Sequence, residues 1–390
     1  MSRKPNKSNG FTFANARPKK PGAARGAINK ALPIPLPGPI PTPDKLIMDL
    51  GTVLDASEIA AIKKAEQIVI HVVGDTGGVR DGAAEETLIA EKMEGDFSGD
   101  AKDHPAFFYH LGDVVYYNGE VENYPTQFLR PYQFYPAPIF AIAGNHDSSP
   151  NEGDEPGKLD QFMKIFCAGE PEFIEKDFDR KTMTQPYLYF TLESPFVKII
   201  GLYSNSSEGP GLLNPANSTE QLEFLEAEFT RAKKAQATDD RAVLVAVHHP
   251  LFSISNDHGA SPAMLKQVDD LMEKTGFIPD AFLSGHVHGF ELFIREYQGR
   301  EIPYIICGTG GYNNDAHVKQ QFRLPATFSD GFTLAQFFDH QYGYMRVTID
   351  ARYFAAEYVG VDKSQNDPRT PTNVLESFSL DLKTHKVSTF

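Results

Sequence analysis

Short apolar runs recur along the chain, each followed within a few residues by glycine or histidine. They are Ile68-Val69-Ile70-His71-Val72-Val73, Phe107-Phe108-Tyr109, Pro138-Ile139-Phe140-Ala141-Ile142, Ala242-Val243-Leu244-Val245-Ala246-Val247 and Ala281-Phe282-Leu283. Runs this short, apolar at successive positions rather than alternate ones, predict strands buried on both faces. Residues 187–192 and 196–202 predict adjacent strands joined at Ser194-Pro195, and further strands are expected over 290–295, 302–307, 344–349 and 354–359. Helices are expected over 57–64, 83–93, 158–166 and 262–274. Another is signalled by Ser218-Thr219-Glu220-Gln221, which matches the capping-box pattern and precedes Leu222, Leu225 and Phe229 on one helical face as far as about Lys234. The order, β-α-β early and strand-rich late, predicts a layered α/β core with two sheets, and no internal repeat is visible.

The first 43 residues break this pattern. Residues 1–30 are basic and polar, with too few clustered apolar groups to offset the entropy of ordering, and predict disorder. Between Pro33 and Pro43 proline falls at nearly every second position, which forbids helix and favours an extended segment. That segment reads either as a strap anchored by Ile34, Leu36 and Ile40 or as a plain linker. The expected organisation is a disordered basic, Pro-rich tail over 1–43 and a single catalytic domain over 44–390.

Composition narrows the class. With 390 residues, 41% hydrophobic and 23% charged, the chain can bury a large core as an ordinary globular protein. No apolar run approaches the length of a membrane span. Two cysteines, Cys167 and Cys307, do not make a disulfide framework, and buried thiols are expected. No apolar stretch follows the basic start as in a signal peptide, so a cytoplasmic, reducing setting is the expectation. Residues 1–43 hold eight of the 37 Lys and Arg and none of the 52 Asp and Glu. The remaining chain therefore stands at 29 basic against 52 acidic residues, or −23. A body of that sign repels nucleic acid, and a phosphorylated small molecule would bind only where cations overturn the local field.

The strand ends supply such a place. Gly74-Asp75-Thr76-Gly77, Leu111-Gly112-Asp113-Val114-Val115-Tyr116, Gly144-Asn145-His146-Asp147, His248-His249-Pro250 and Gly285-His286-Val287-His288 each put ligand-type side chains just beyond an apolar run. Phosphoester hydrolysis requires a nucleophile at neutral pH and positive charge for the phosphoryl oxygens. Two metal ions about 3.5–4 Å apart supply both, provided one carboxylate can bind both ions. Asp113 is the candidate for that shared carboxylate. Each residue alone has a plainer reading. Asp75 and Asp113 suit turns, and Tyr116 suits a core. His71 and His110 suit hydrogen-bonded positions inside strands, and His249 should point away from His248.

Ordered as Gly-Asp-x-Gly, Gly-Asp-x-x-Tyr, Gly-Asn-His-Asp, Val-x-x-His and Gly-His-x-His, the stretches resemble calcineurin-like metallophosphoesterases. Within that superfamily they look most like the small, mammalian-type purple acid phosphatases. The resemblance implies a four-layer α/β/β/α sandwich with two mixed sheets. It also implies a dinuclear-metal phosphatase that hydrolyses phosphate monoesters by attack of a metal-bound hydroxide. A phosphodiesterase or nucleotidase on the same scaffold is the alternative, and a non-catalytic module with a degenerate site is a third reading. Carried over by motif, Asp75, Asp113, Tyr116 and His288 would hold Fe(III). Asp113, Asn145, His248 and His286 would hold Fe, Zn or Mn. His146 would contact phosphate, and His258, in the stretch His249 to Gly259, would contact substrate or protonate the leaving group; a plain loop histidine is the other reading of His258. Most of the superfamily places a ligating histidine where this chain has Gly77, and a hard phenolate from Tyr116 is a replacement that favours ferric iron. Gly308-Thr309-Gly310-Gly311 reads either as a phosphate cradle or as close backbone packing. The implied partner is a small phosphorylated substrate, with neither nucleic acid nor membrane, and the oligomeric state stays open. Secretion or export, as in some relatives, is the alternative to a cytoplasmic setting. An acidic segment at 151–185 and a long loop at 313–331 follow strand ends and are expected to wall the pocket.

Overall fold

A computed structural model of the chain describes residues 36–78, 82–148, 159–174, 180–204, 210–214, 218–256, 258–312, 318–362 and 372–390. The disorder expected over 1–30, the anchor Ile34, and parts of the acidic segment and of loop 313–331 lie outside the described residues. Of the expected strap, Leu36 and Ile40 rest partly buried against the core, and the Tyr187 hydroxyl donates to the Pro37 carbonyl at 2.5 Å.

The first strand, β1 (Ile47–Asp49), is too short for its pattern to stand out in the sequence. Helix α1 (Ala56–Ala65) opens with a capping box: Asp55 accepts from the Ser57 and Glu58 amides at 2.7 and 2.9 Å, and Glu58 accepts from the Asp55 amide at 2.7 Å. Then follow β2 (Gln67–Val73), α2 (Gly82–Gly95), β3 (Phe107–His110), β4 (Ile139–Ala141), α3 (Asp160–Phe166), β5 (Phe190–Glu193), β6 (Val197–Leu202) and α4 (Glu220–Ala235). After these come β7 (Ala242–Val247), α5 (Pro262–Thr275), β8 (Ala281–Ser284), β9 (Phe290–Tyr297), β10 (Arg300–Cys307), β11 (Ala326–Thr327) and β12 (Phe332–Phe338). The chain closes with β13 (Tyr342–Asp350), β14 (Tyr353–Val361), β15 (Asn373–Asp381) and β16 (Lys386–Thr389).

The capping box expected at Ser218–Gln221 does not form. Thr219 precedes α4 without capping it and instead donates its hydroxyl to Glu223 at 2.7 Å. Gln221 is turned inward, where its amide accepts from the Tyr203 N–H at 2.7 Å and donates to the Tyr203 and Leu213 carbonyls. A buried amide committed to two main-chain segments cannot also reach back to the helix start.

The strands form two mixed sheets. One runs β1-β5-β6-β7-β8-β10-β9-β12-β11, the other β16-β15-β14-β13-β2-β3-β4. Within them β6, β7, β8 and β10 are parallel, as are β2, β3 and β4. The sheets pack face to face: Phe290 of β9 stacks on Tyr358 of β14 at 4.2 Å, and Cys307 of β10 reaches the Val72 carbonyl of β2. Helices α1 and α2 cover the outer side of the seven-stranded sheet, and α4, with α5 beside it, covers β6 of the other. This is the four-layer arrangement expected. Every residue of β7 is buried, as its unbroken apolar run requires, and each fully buried Val or Leu contributes roughly 1.5–3 kcal/mol. The parallel strands of both sheets point their C-terminal ends to one edge of the sandwich, where chemistry collects in folds of this kind.

Candidate metal centre

At that edge the turns beyond β2, β3, β4, β7 and β8 converge, and glycine is what lets them. Gly112 has φ +95, and a Cβ there would lie 2.7 Å from both the Gly144 amide and His248 Nδ1. A Cβ on Gly144 would lie 2.1 Å from Asp113 Oδ1. Three candidate ligands themselves sit in the left-handed region: Asp75 (φ 56), Asp113 (φ 54) and His286 (φ 69). Such conformations cost on the order of 1–3 kcal/mol each and persist only where the surroundings enforce them. Here they are enforced. The Asp75 amide donates to Gly112 O at 2.9 Å, and the His286 amide donates to Asp75 Oδ2 at 2.8 Å.

The side chains so presented fall into two neighbouring groups, the first of which contains Asp113. In one, Asn145 Oδ1 lies 3.1 Å from His248 Nε2 and 3.0 Å from His286 Nδ1, and His248 Nε2 is 3.4 Å from Asp113 Oδ1. Donor atoms of Asp113, His248 and His286 all lie within 4.8 Å of one another. In the other, the Tyr116 hydroxyl is 3.2 Å from Asp75 Oδ1 and 3.5 Å from His288 Nε2, with His288 Nε2 also 3.5 Å from Asp75 Oδ1. His248 Nδ1 meets the Leu111 carbonyl at 2.7 Å, so that nitrogen carries a proton and Nε2 is the atom turned toward Asp113 and Asn145. All seven residues are buried.

The centre's polar groups fit a cation. Asp113 Oδ1 accepts from the His146 amide at 2.8 Å, whereas Asp113 Oδ2 is buried and meets no hydrogen-bond donor among the described residues. A buried carboxylate oxygen without a donor is costly unless a cation faces it. The buried ionisable groups also perturb one another. Burial pushes Asp75 up to about 7, with the Asp113 charge adding to it. Burial would raise Asp113 too, but the charges of His248 and His146 hold it below the ordinary carboxylate value. Burial works against a proton on His248, yet Asp113 draws it up to about 9. The donor set of carboxylates, neutral amide, imidazoles and one phenol suits hard and borderline metals.

Gly77 explains how Tyr116 reaches the centre. A Cβ at residue 77 would lie 2.7 Å from Tyr116 Cδ2 and 2.7 Å from Gln127 Oε1, so the tyrosine ring fills the space a side chain at 77 would need. The Tyr116 main chain is clamped by Gln127, which accepts from its N–H at 2.8 Å and donates to its carbonyl at 2.9 Å. Asn123 donates to the same carbonyl at 2.8 Å. Sequence reasoning missed this clamp, and it missed Asp147. The buried Asp147 carboxylate accepts from the Val114 and Val115 amides at 2.9 and 3.2 Å and from the Gly144 amide at 2.8 Å, tying the Asp113 turn to the Asn145 turn. Its place in Gly-Asn-His-Asp was the available signal.

The neighbouring histidines are positioning groups. His110, which burial brings down to about 3, is neutral. Its Nδ1 accepts from the Gly112 amide at 3.1 Å, and its Nε2 lies 2.8 Å from the Thr76 hydroxyl, linking the two Gly-Asp turns. His71 lies between the Tyr135 hydroxyl and Asp96, 3.0 Å from each. His249 is held by Ser204 at 2.9 Å. In the Gly308–Gly311 turn, a Cβ on Gly308 would come 2.2 Å from Val287 O, and one on Gly310 would come 2.5 Å from Gly74 O. Close backbone packing accounts for these glycines.

The half-buried rim carries His146 and His258. His146 Nδ1 meets the Tyr117 carbonyl at 2.8 Å. The His258 ring stands 5.0 Å from His286 and 4.9 Å from His288, over both halves of the centre. Its segment is held by Glu291 of β9, whose buried carboxylate accepts from the Ile254 amide at 3.2 Å. Burial pushes Glu291 from 4.5 up to about 7. The native state then keeps this proton longer than the unfolded chain, so stability falls as pH rises from 4.5 to about 7. A displacement of that size is worth about 3 kcal/mol. Glu291→Gln is expected to flatten this part of the pH profile in denaturant titrations; an unchanged slope would refute the assignment.

Comparison with known proteins gives the class. Residues 68–290, more than half of the chain, match the family described as calcineurin-like phosphoesterase, and the chain belongs to that family. Its members bind divalent metals, and the chain is accordingly a metal-dependent phosphoesterase by family. Among solved structures it is similar to GAP50, the anchor in the inner membrane complex of Plasmodium, with 14% identity, 79% of this chain and 88% of that chain covered, and a TM-score of 0.54. It is also similar to PhoD, with 14% identity, 83% and 71% covered, and a TM-score of 0.51. At such identities the likeness shows the fold. A search of curated proteins returns no match. Among the described residues, no helix is long and apolar enough to cross a membrane.

Proposed function

We propose that the chain is a dinuclear-metal phosphatase of purple acid phosphatase type that hydrolyses phosphate monoesters. Asp75, Asp113, Tyr116 and His288 would hold ferric iron, and Asp113, Asn145, His248 and His286 would hold iron, zinc or manganese. The observation that carries this reading is the Tyr116 phenol standing between Asp75 and His288, in the space left by Gly77. When bound, the metal pair supplies a water of lowered pKa and positive charge for the phosphoryl oxygens. The protein's own groups do the rest. His146, held at Nδ1 by the Tyr117 carbonyl, presents Nε2 to the phosphoryl group. His258, above both halves, gives a proton to the departing alkoxide. The buried floor excludes bulk water, and Asp147 and His110 keep the three turns in register.

GAP50, which shares the fold, is named as an anchor, and a non-enzymatic role is the contrasting possibility. The unbroken set of donors at every candidate ligand position supports catalysis instead. Paired assays on an aryl phosphate monoester and its diester, with elemental analysis and a visible spectrum, test the reading. Faster turnover of the monoester, bound iron, and a visible band lost in Tyr116→Phe are expected. A diester preference, or zinc alone with no band, would overturn it.

A further inference from the structure

Four rings surround the Tyr116 phenol, and one is unlike the rest. Tyr117 and His288 meet it edge-on at 6.0 and 6.4 Å, and His146 is tilted by 42° at 4.5 Å. Tyr312 lies almost parallel, at 16° with ring centroids 3.8 Å apart, and among the described residues no other ring stacks on Tyr116 this way. Tyr312 is placed by the main chain: its amide donates to the Asp75 carbonyl at 3.0 Å, directly after the Gly308–Gly311 turn. Its ring also meets His288 at 4.5 Å and 63°. The two residues that define this half of the centre, Asp75 and His288, thus both touch the residue stacked on Tyr116.

Two electron-rich rings stacked this closely place their π faces against one another. The contact gains further if one ring is drained of electron density. A phenolate bound to a highly charged cation is such a ring. We propose that Tyr312 is an electronic and positioning partner of Tyr116: it fixes the plane of the phenol toward Asp75 and His288, and it raises the energy of the phenolate π electrons when Tyr116 ligates iron. This rests on the reading of Tyr116 as an iron ligand.

The charge-transfer band of iron-loaded protein tests it. A raised donor level moves such a band to longer wavelength, so the maximum should fall at progressively shorter wavelength in the order wild type, Tyr312→Phe, Tyr312→Leu. The phenylalanine keeps the ring but loses the electron-donating hydroxyl, and the leucine loses the ring. Tyr312→Leu should also release iron to a chelator several-fold faster than wild type. A merely structural role would change the amount of iron held but not order the band maxima. The Tyr312→Phe shift decides the matter even if Tyr312→Leu fails to fold. Coincident maxima in wild type and Tyr312→Phe would overturn the proposal while leaving Tyr116 as a ligand. Iron-loaded wild type without any band would overturn both together.

Discussion

Replacing Asp113 with Asn is expected to abolish phosphoester hydrolysis and to weaken binding of both metals. The change is small in volume and large in charge. Asp113 Oδ1 lies 3.4 Å from His248 Nε2 and Oδ2 is buried with no hydrogen-bond donor among the described residues, and under the proposed function this one carboxylate would serve both ions. An amide keeps one neutral oxygen and turns the other position into an N–H donor with no lone pair for a cation. The one negative charge that both ions would share is lost. Activity should fall by at least the roughly 10²–10³-fold that loss of a single electrostatic partner costs elsewhere. Elemental analysis beside steady-state rates measures both effects. A variant that retained its metals and its rate would remove the basis of the two-group arrangement.

Asp147→Ala is expected to be the most destabilising single change near the centre, although Asp147 touches no candidate metal position in our scheme. Its carboxylate satisfies the amides of Val114, Val115 and Gly144, all buried. Truncation leaves three donors without a partner, at about 1–2 kcal/mol each, so a loss of about 3–6 kcal/mol is expected. Denaturant unfolding with chelator present isolates this from any loss of metal. Asp147→Asn should be milder, because its oxygen can still serve Val114 and Val115 while its NH2 group opposes the Gly144 amide. A loss below about 1 kcal/mol for the alanine variant would show that the turns hold their places by other means.

Part of this architecture is legible in the sequence for a definite reason. Fully buried parallel strands read as unbroken apolar runs, and a residue just past such a run must emerge at the sheet's edge. Asp75, Asp113, Asn145, His248, His286 and His288 can therefore be placed near one another before any coordinates are seen. Gln127 and Glu291 cannot, and for Asp147 the place is legible but its bonds to Val114 and Val115 are not. Each works through main-chain groups of another segment, and a side chain bonded across 11 to 37 positions leaves no local periodicity. Strands β12 and β15 escape notice because only part of each is buried. The pattern at Ser218 misleads because Gln221 carries the right side chain for a cap but spends it on Tyr203.

Strand β4 is the last of its sheet, and its outward main-chain groups would ordinarily lie open. Gln185 covers them: its amide accepts from the Ala141 N–H at 2.7 Å and donates to the Ala141 carbonyl at 2.8 Å, as a neighbouring strand would. Gln185 is itself buried, so this edge is closed from within by a side chain rather than by a further strand. Its loss would leave both Ala141 groups sealed from water with nothing to replace it.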